Sequence, residues 1–366
     1  MPAPNRSDST NNLLAKILLN LGGSPSATDG EYNLTFRIAS VLGANPNVGE
    51  SKWGLLQKIA ETGANKPQRG DGEYNLLYRF ALNQGANPRP SDSKWNLLYR
   101  ICYATIPPVY DDDALAFAAA SGATDIANLS AFVEGVKSLG LWDSMVCWPL
   151  RSSQNAGTGS TAYSLGGLGT YNGTLVNGPT WGVDGLTILG SSSQSVTIGD
   201  DATLKRQNQV GLALVFSTAS TSNFSNFGCL LGKTPGGAGF NHNYQWNERL
   251  NERNVSFSTG DGVSQVVNLN VALGANTDKH FLLGSAKAGD VSKVKHNANA
   301  IQSAANALTQ FNATDDTLKF NLSGVGHADG GEFSFGALFA SDLSDSQMTG
   351  LYSLYKSTLG QGLGLP

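Results

Sequence analysis

Over the first hundred residues leucine returns every 21 positions, at Leu13, Leu34, Leu55, Leu76 and Leu97. Counting in steps of 21 from Asn11, Tyr32, Trp53, Tyr74 and Trp95 aligns the rest of the pattern. The sixth place is always basic (Lys16, Arg37, Lys58, Arg79, Arg100), and the seventh is Ile or Phe (Ile17, Ile38, Ile59, Phe80, Ile101). Places 1, 4, 7, 8 and 11 are mostly apolar, which is the spacing of one helix face. Gly follows near place 12 (Gly22, Gly43, Gly63, Gly85), where a left-handed cap ends a helix, and Pro stands at place 15 of four repeats. Asp or Ser just ahead of each repeat is placed to cap the next helix. Each repeat therefore predicts a helix of about 12 residues, roughly 18 Å long, followed by a Gly-Pro loop.

The residue before each repeat alternates Glu31, Lys52, Glu73, Lys94, and the aromatic after it alternates Tyr, Trp, Tyr, Trp. The hexapeptide DGEYNL at 29–34 consequently recurs at 71–76. A helix this short is marginal alone, so its apolar stripe needs cover. Two arrangements supply it: a compact stack or small solenoid, and an extended arm whose helices each dock into a partner. In either one the five leucines and the aromatics Tyr32, Trp53, Tyr74 and Trp95 are the anchoring residues. The basic place reads as a solvated or ion-paired helix face. The fifth repeat runs into Thr105-Ile-Pro-Pro-Val109, a stop and a linker.

Beyond it, Thr124 or Asp125 is placed to cap a helix through about Leu139, with Ile126, Leu129, Phe132, Val133 and Val136 inward. From Leu141 the period changes. Short β-type runs such as QVGLALVFST and GEFSFGALFAS follow one another between Gly, Asn, Asp and Ser, without intervening helices. A last helix is predicted in SDSQMTGLYSLYKSTLG, capped by Ser344 or Asp345. The expected layout is a flexible start (1–10), five anchoring repeats (11–106), a linker and helix (107–140) and an antiparallel β-sandwich (141–362). The fold class is α + β, multidomain.

Composition narrows the function. Charged residues make up 14% of the chain, against roughly 25% in an average globular protein, and Gly, Ser, Asn, Thr and Ala fill the gap. Residues 1–110 carry 11 Lys+Arg and 8 Asp+Glu; the remainder carries 13 and 20. Neither part is basic enough to make nucleic acid the expected partner. Cys102, Cys147 and Cys229 are odd in number and widely spaced, which predicts buried thiols formed in a reducing cytoplasm. The start MPAPNRSDSTNN has no apolar signal core, and no run of 18 apolar residues follows, so neither secretion nor membrane insertion is expected.

The order WPL, then AYSLGGLGTYNGTLVNGPTW, then VGLALVFST, then GEFSFGALFASDLSDSQMTGLYSLY resembles the concanavalin A-like lectin/laminin-G superfamily over about residues 141–360. The resemblance implies a jelly-roll sandwich of two curved sheets. The repeats are similar to N-terminal segments of bacteriophage structural proteins. Together these imply a virion protein assembled in the host cytoplasm. Its repeats would be fastened to other capsid or tail proteins as head decoration or tail fibre, in a homo-oligomer, with the lectin-like body meeting host-surface glycans. The alternatives are a glycan-processing enzyme of the glucanase-like sandwich class and a purely structural lattice or trimerisation module.

Catalytic motifs do not favour the enzyme. The same-face carboxylates of retaining glucanases have no counterpart; Glu248 and Glu252 are spaced by four, each beside an arginine, and read as a surface ion-paired turn. His242, His280, His296 and His327 are nowhere paired at metal spacing. The stretch GFNHNYQW offers Asn241, His242, Tyr244 and Trp246 as a sugar site, with flat apolar faces beside planar amides. The competing reading turns Tyr244 and Trp246 into the core of a strand. If a cofactor is present, calcium on loop oxygens is the candidate, at Asp315 and Asp316 with Asn312, or at Asp261.

Overall fold

The structure is a computed structural model that describes residues 3–106, 108–189, 192–218, 221–222, 224, 229–233, 244–249, 252–262, 266–274, 276–312, 318–320 and 331–366. It divides into two units, Met1–Val109 and Tyr110–Pro366.

In the first unit every repeat forms one helix: α1 (Thr10–Asn20), α2 (Glu31–Val41), α3 (Lys52–Glu61), α4 (Glu73–Asn83) and α5 (Lys94–Ala104). Places 3, 4, 7 and 8 are buried in all five helices, from Leu13, Leu14, Ile17 and Leu18 to Leu97, Leu98, Ile101 and Cys102. Each helix packs on the next, and α5 packs back on α1. The stack is therefore a closed ring, not an open solenoid or an extended arm. Equal steps that return to their origin close a ring, and no apolar stripe is left at either end.

Closure repeats the contacts made between earlier neighbours. The Trp53 indole donates to the carbonyl of Asp71 in the loop before α4 (3.1 Å), and the Trp95 indole donates to that of Asp8 in the loop before α1 (2.8 Å). Asn83 donates to the Ala60 carbonyl at the end of α3, and Asn20 donates likewise to Cys102 at the end of α5. The segment expected to be a flexible start is, from Ala3 on, the loop that completes the ring.

The basic place is ion-paired. Lys16, Arg37, Lys58, Arg79 and Arg100 meet an acid eight positions upstream, Asp8, Asp29, Glu50, Asp71 or Asp92, at 2.6–3.1 Å. The same acids accept the backbone N–H three residues earlier, at 2.7–3.0 Å. The acid thus holds its own loop and the following helix together. Capping falls instead to Ser9, Ser51 and Ser93, while Gly30 and Gly72 stand at the other two N-caps.

The residues just after those caps share one ion cluster. Lys52 and Lys94 each contact both Glu31 and Glu73, at 2.5–2.8 Å. Alternating charge cannot close around an odd ring, and the fifth position is the neutral Thr10. For Glu31, partial burial pushes the pKa up, but hydrogen bonds from Lys52 and Lys94 outweigh it. For Glu73 the two ammonium groups dominate outright, and both carboxyls end below the ordinary 4.5. A depressed folded-state pKa contributes stability above the unfolded value, and that stability is lost as pH falls through the folded one. Helical circular dichroism of the full chain should therefore lose thermal stability below about pH 4.5, and the Glu31→Gln/Glu73→Gln variant should show a shallower loss. An identical slope in the variant would exclude the cluster as its source.

The second unit begins with α6 (Asp112–Ser121) and α7 (Ile126–Ser138). Strands follow: β1 (Met145–Pro149), β2 (Thr161–Ala162), β3 (Gly173–Val176), β4 (Thr180–Trp181), β5 (Leu186–Ile188), β6 (Ser195–Ile198), β7 (Gln209–Thr218) and β8 (Cys229–Lys233). After these come β9 (Tyr244–Glu248), β10 (Asn254–Gly260), β11 (Val266–Ala272), β12 (His280–Lys287), β13 (Val291–His296), β14 (Gln302–Ala305), β15 (Leu318–Phe320) and β16 (Gly331–Phe339). Helix α8 (Asp345–Ser357) closes the unit, with a capping box of Ser344 and Gln347. One sheet runs β14-β13-β12-β7-β16-β5-β4, with β1 also on β16; the other runs β11-β10-β9-β8-β15-β6-β3-β2. All pairings are antiparallel, so the body is a two-sheet sandwich.

Three layers result. Leu212, Leu214 and Phe216 of β7 face the inter-sheet core, while Ala213 and Val215 face a second core under α6, α7 and α8. Burial on both sides explains the unbroken apolar run of β7. A bulge between Phe333 and Phe335 sends the first ring inward and the second to the helices, where it meets Phe132 edge-on and Tyr355. Gly135 lets α7 and α8 approach, since a Cβ there would stand 2.3 Å from Leu354 Cδ1. Residues from Tyr110 on therefore belong to the body as its third layer, and only the stretch just before them remains a connector. Phe335→Ala should cost about 3–5 kcal/mol in chemical denaturation of the body; a loss below about 1 kcal/mol would mean the helix layer does not depend on this ring.

Candidate functional site

Strand alternation splits the second sheet into two chemically different faces. Tyr244, Trp246, Val255 and Phe257 point into the core. Gln245, Asn247, Ser256, Ser258, Asn268 and Asn270 take the opposite face. Register aligns Asn247 with Ser256 and Ser256 with Asn270; beside them Gln245 aligns with Ser258 and Ser258 with Asn268. The result is a grid of amides and hydroxyls three strands wide, with no charged side chain among its six members.

The grid is buried at its centre and open at its edge. Asn247, Ser256 and Ser258 are at most 1% exposed, whereas Asn268 and Asn270 on β11 are exposed. The hydroxyls of Ser256 and Ser258 donate to Asn247 Oδ1 at 3.0 and 3.1 Å, and Ser258 also contacts Asn268 Oδ1. Asn247 Nδ2 is buried without a hydrogen-bond partner. A buried donor left unpaired costs about 1–3 kcal/mol. Neutral donors and acceptors at fixed spacing suit hydroxyl-bearing ligands.

Of the residues expected to form a sugar site, Tyr244 and Trp246 are corrected by the structure. Both are fully buried; the Tyr244 hydroxyl donates to Leu204 O and the Trp246 indole to Leu212 O. Their rings serve the core, and it is the amides between and beyond them that face away from it. Asn241 and His242 lie outside the described residues, as do Asp315 and Asp316. Asn312 packs its side chain against Gly262, and among the described residues no group of three His, Cys, Asp or Glu could hold a metal ion. Glu248 is fully buried in β9, contrary to its reading as a surface turn, while Glu252 pairs with Arg249. The three cysteines are buried and free; burial pushes the Cys102 thiol up to about 11.

Sequence reading missed a histidine pair. His280 on β12 and His296 on β13 are 16 residues apart, yet His280 Nδ1 lies 3.1 Å from His296 Nε2. They line a cavity of about 240 Å3 with Asn276, Asp278 and Lys279. Lys279 is paired with Glu332, and Asn297 and Asn299 contact the His296 ring. Burial and then the charge of His296 push His280 down to about 4; burial alone lowers His296. A histidine with a depressed folded-state pKa binds its proton less readily folded than unfolded, so stability falls as pH drops from 6.5 toward 4. In His280→Gln, denaturation midpoints between pH 7 and pH 5 should lie closer together than in the parent. Equal pH dependence in the two proteins would show that the pair does not titrate as described.

No protein-family model matches the chain, and no curated protein matches it in sequence. Solved structures with partial likeness include the binding domain of Paraclostridial Mosquitocidal Protein 1 (11% identity, 50% of this chain and 46% of that one, TM-score 0.38). The botulinum neurotoxin serotype D binding domain is similar over 58% of this chain and 52% of its own (12% identity, TM-score 0.43). A botulinum neurotoxin type C structure, whose cell entry depends on two ganglioside molecules, is similar over 59% and 53% (13% identity, TM-score 0.45). The chain thus spans about half the length of the structures it matches. The overlap is too loose for a binding property to be carried across. Among the described residues no helix is long and apolar enough to cross a membrane.

Proposed function

We propose that this chain is a non-enzymatic adhesion protein of a bacteriophage particle, and that the sandwich binds neutral glycans on the amide-hydroxyl face of its second sheet. The exposed amides of Asn268 and Asn270 at the open edge of that face carry the reading. They offer donors and acceptors at strand spacing, backed by the buried hydrogen-bonded set of Asn247, Ser256 and Ser258. Sugar hydroxyls satisfy such a set without charge. A retaining glycosidase needs two carboxyl groups about 5–5.5 Å apart, and the grid contains none.

The particle part of the proposal rests on the resemblance of the repeats to N-terminal segments of phage structural proteins. The leucines are spent within the ring, so attachment to capsid or tail proteins, or to further copies of the chain, uses its outer surface. Tyr32, Trp53 and Tyr74 are 36–49% exposed there and supply apolar contact. A glycan array probed with the full chain should give reproducible signal on neutral oligosaccharides, reduced about tenfold, or roughly 1.4 kcal/mol, in Asn268→Ala/Asn270→Ala. A silent array removes the adhesion reading, and purified particles without this chain remove the virion reading.

A further inference from the structure

The first unit carries an excess of cations, and their placement is not random. Of its 11 Lys and Arg, seven are ion-paired: five in the loop-to-helix pairs and two, Lys52 and Lys94, in the ion cluster. The other four are Arg6, Lys66, Arg69 and Arg89. Arg6 and Arg89 line one groove, and Lys66 and Arg69 line another. The two grooves occupy equivalent places in the ring, with Trp95 and Arg6 in one matched by Trp53 and Arg69 in the other. They differ on the helix between. The second groove, about 480 Å3, has Gln57 and Glu61 where the first, about 840 Å3, has Tyr99 and Tyr103.

The larger groove therefore combines an aromatic wall with the Arg6 and Arg89 guanidinium groups, neither in an ion pair among the described residues; its lining also holds the Asp92–Arg100 ion pair, and Arg89 helps to lower the Asp92 pKa. Trp95 and Tyr99 are stacked with centroids 5.0 Å apart, and Tyr99 and Tyr103 follow at 5.4 Å. Three rings at i, i+4 and i+8 run along about 12 Å of helix. Tyr103 is 54% exposed, and Arg6 and Arg89 are exposed. Asn96 adds an amide to the lining.

We propose that this groove binds an acidic oligosaccharide, one that carries carboxylate or sulfate groups. The wall offers the apolar flank on which sugar rings pack, the guanidinium forks match carboxylate or sulfate oxygens, and the amide serves hydroxyls. Single-stranded nucleic acid fits less well. The rings of Trp95 and Tyr99 already stack on each other, which leaves the half-exposed Tyr103 as the ring for a sugar to pack on, whereas successive bases need several separate free faces. This site lies in the repeats and does not depend on the sheet face of the sandwich.

The test uses the full chain and three probes in calorimetry: a hexasaccharide of alternating uronic acid and N-acetylhexosamine, its carboxyl-reduced form, and a twelve-residue oligothymidylate. The acidic hexasaccharide should bind, and carboxyl reduction should weaken it at least tenfold. Arg6→Ala/Arg89→Ala and, separately, Tyr103→Ala should each weaken it at least tenfold, with circular dichroism unchanged. Asn268→Ala/Asn270→Ala should leave it unchanged, which keeps this outcome distinct from failure of the sheet-face reading. No measurable binding, equal binding of the reduced form, parental affinity in both ring variants, or tighter binding of the oligothymidylate would each overturn the proposal.

Discussion

Burial of the leucine-centred stripe on each short helix sets the form of the first unit. A helix of 10 or 11 residues cannot hold itself together in water, so each one needs a neighbour on both sides. An open row of such helices would leave two unsatisfied ends. Returning α5 to α1 removes both ends, with the indole of Trp95 on the Asp8 carbonyl as the last fastening. The loop acids and the Glu-Lys cluster then fix the angle and spacing at which this burial is achieved. Because the ring covers its own stripes, its outer surface is free to carry other chemistry.

The body meets the same requirement by layering. A sheet has two faces, and the central strands β7, β12 and β16 are apolar on both. One face is covered by the second sheet and the other by α6, α7 and α8. The second sheet is apolar on its core face only, and across β9–β11 its other face carries Gln245, Asn247, Ser256 and Ser258. Polar groups placed so deep are costly unless bonded, and the residual Asn247 donor marks where that bonding is incomplete. Two surfaces of different character follow: a neutral one on the sheet and a cationic, aromatic one on the ring.

Much of the architecture was legible in the chain. The 21-residue period located five helices, and the alternation of short β runs located the sandwich and its closing helix, whose cap was open between Ser344 and Asp345 and proves to be Ser344. The fourth-, seventh- and eighth-place residues are inward as expected, but the third-place leucines join them, while the first-place Tyr32, Trp53 and Tyr74, expected on the same face, are 36–49% exposed. The acid eight positions before each basic residue was also present in the sequence, as a fixed offset at Asp8, Asp29, Glu50, Asp71 and Asp92. The site was less legible. GFNHNYQW suggested aromatics for a ligand, but a strand shows its residues alternately to opposite faces, and sequence does not say which face is the core.

What the sequence determined by itself was local: the periodicity of each element, the caps and breaks that bound it, and the charges that travel with every repeat. These are properties of neighbours a few residues apart, and short-range sterics and hydrogen bonding decide them. What only the tertiary structure decided was which distant residues meet. Ring closure brings Trp95 to Asp8 and Arg6 to Tyr99, sheet pairing brings His280 to His296, and register sets Asn247 beside Ser256. Those contacts depend on how whole faces are buried against one another, a balance over many residues that no single stretch of chain contains.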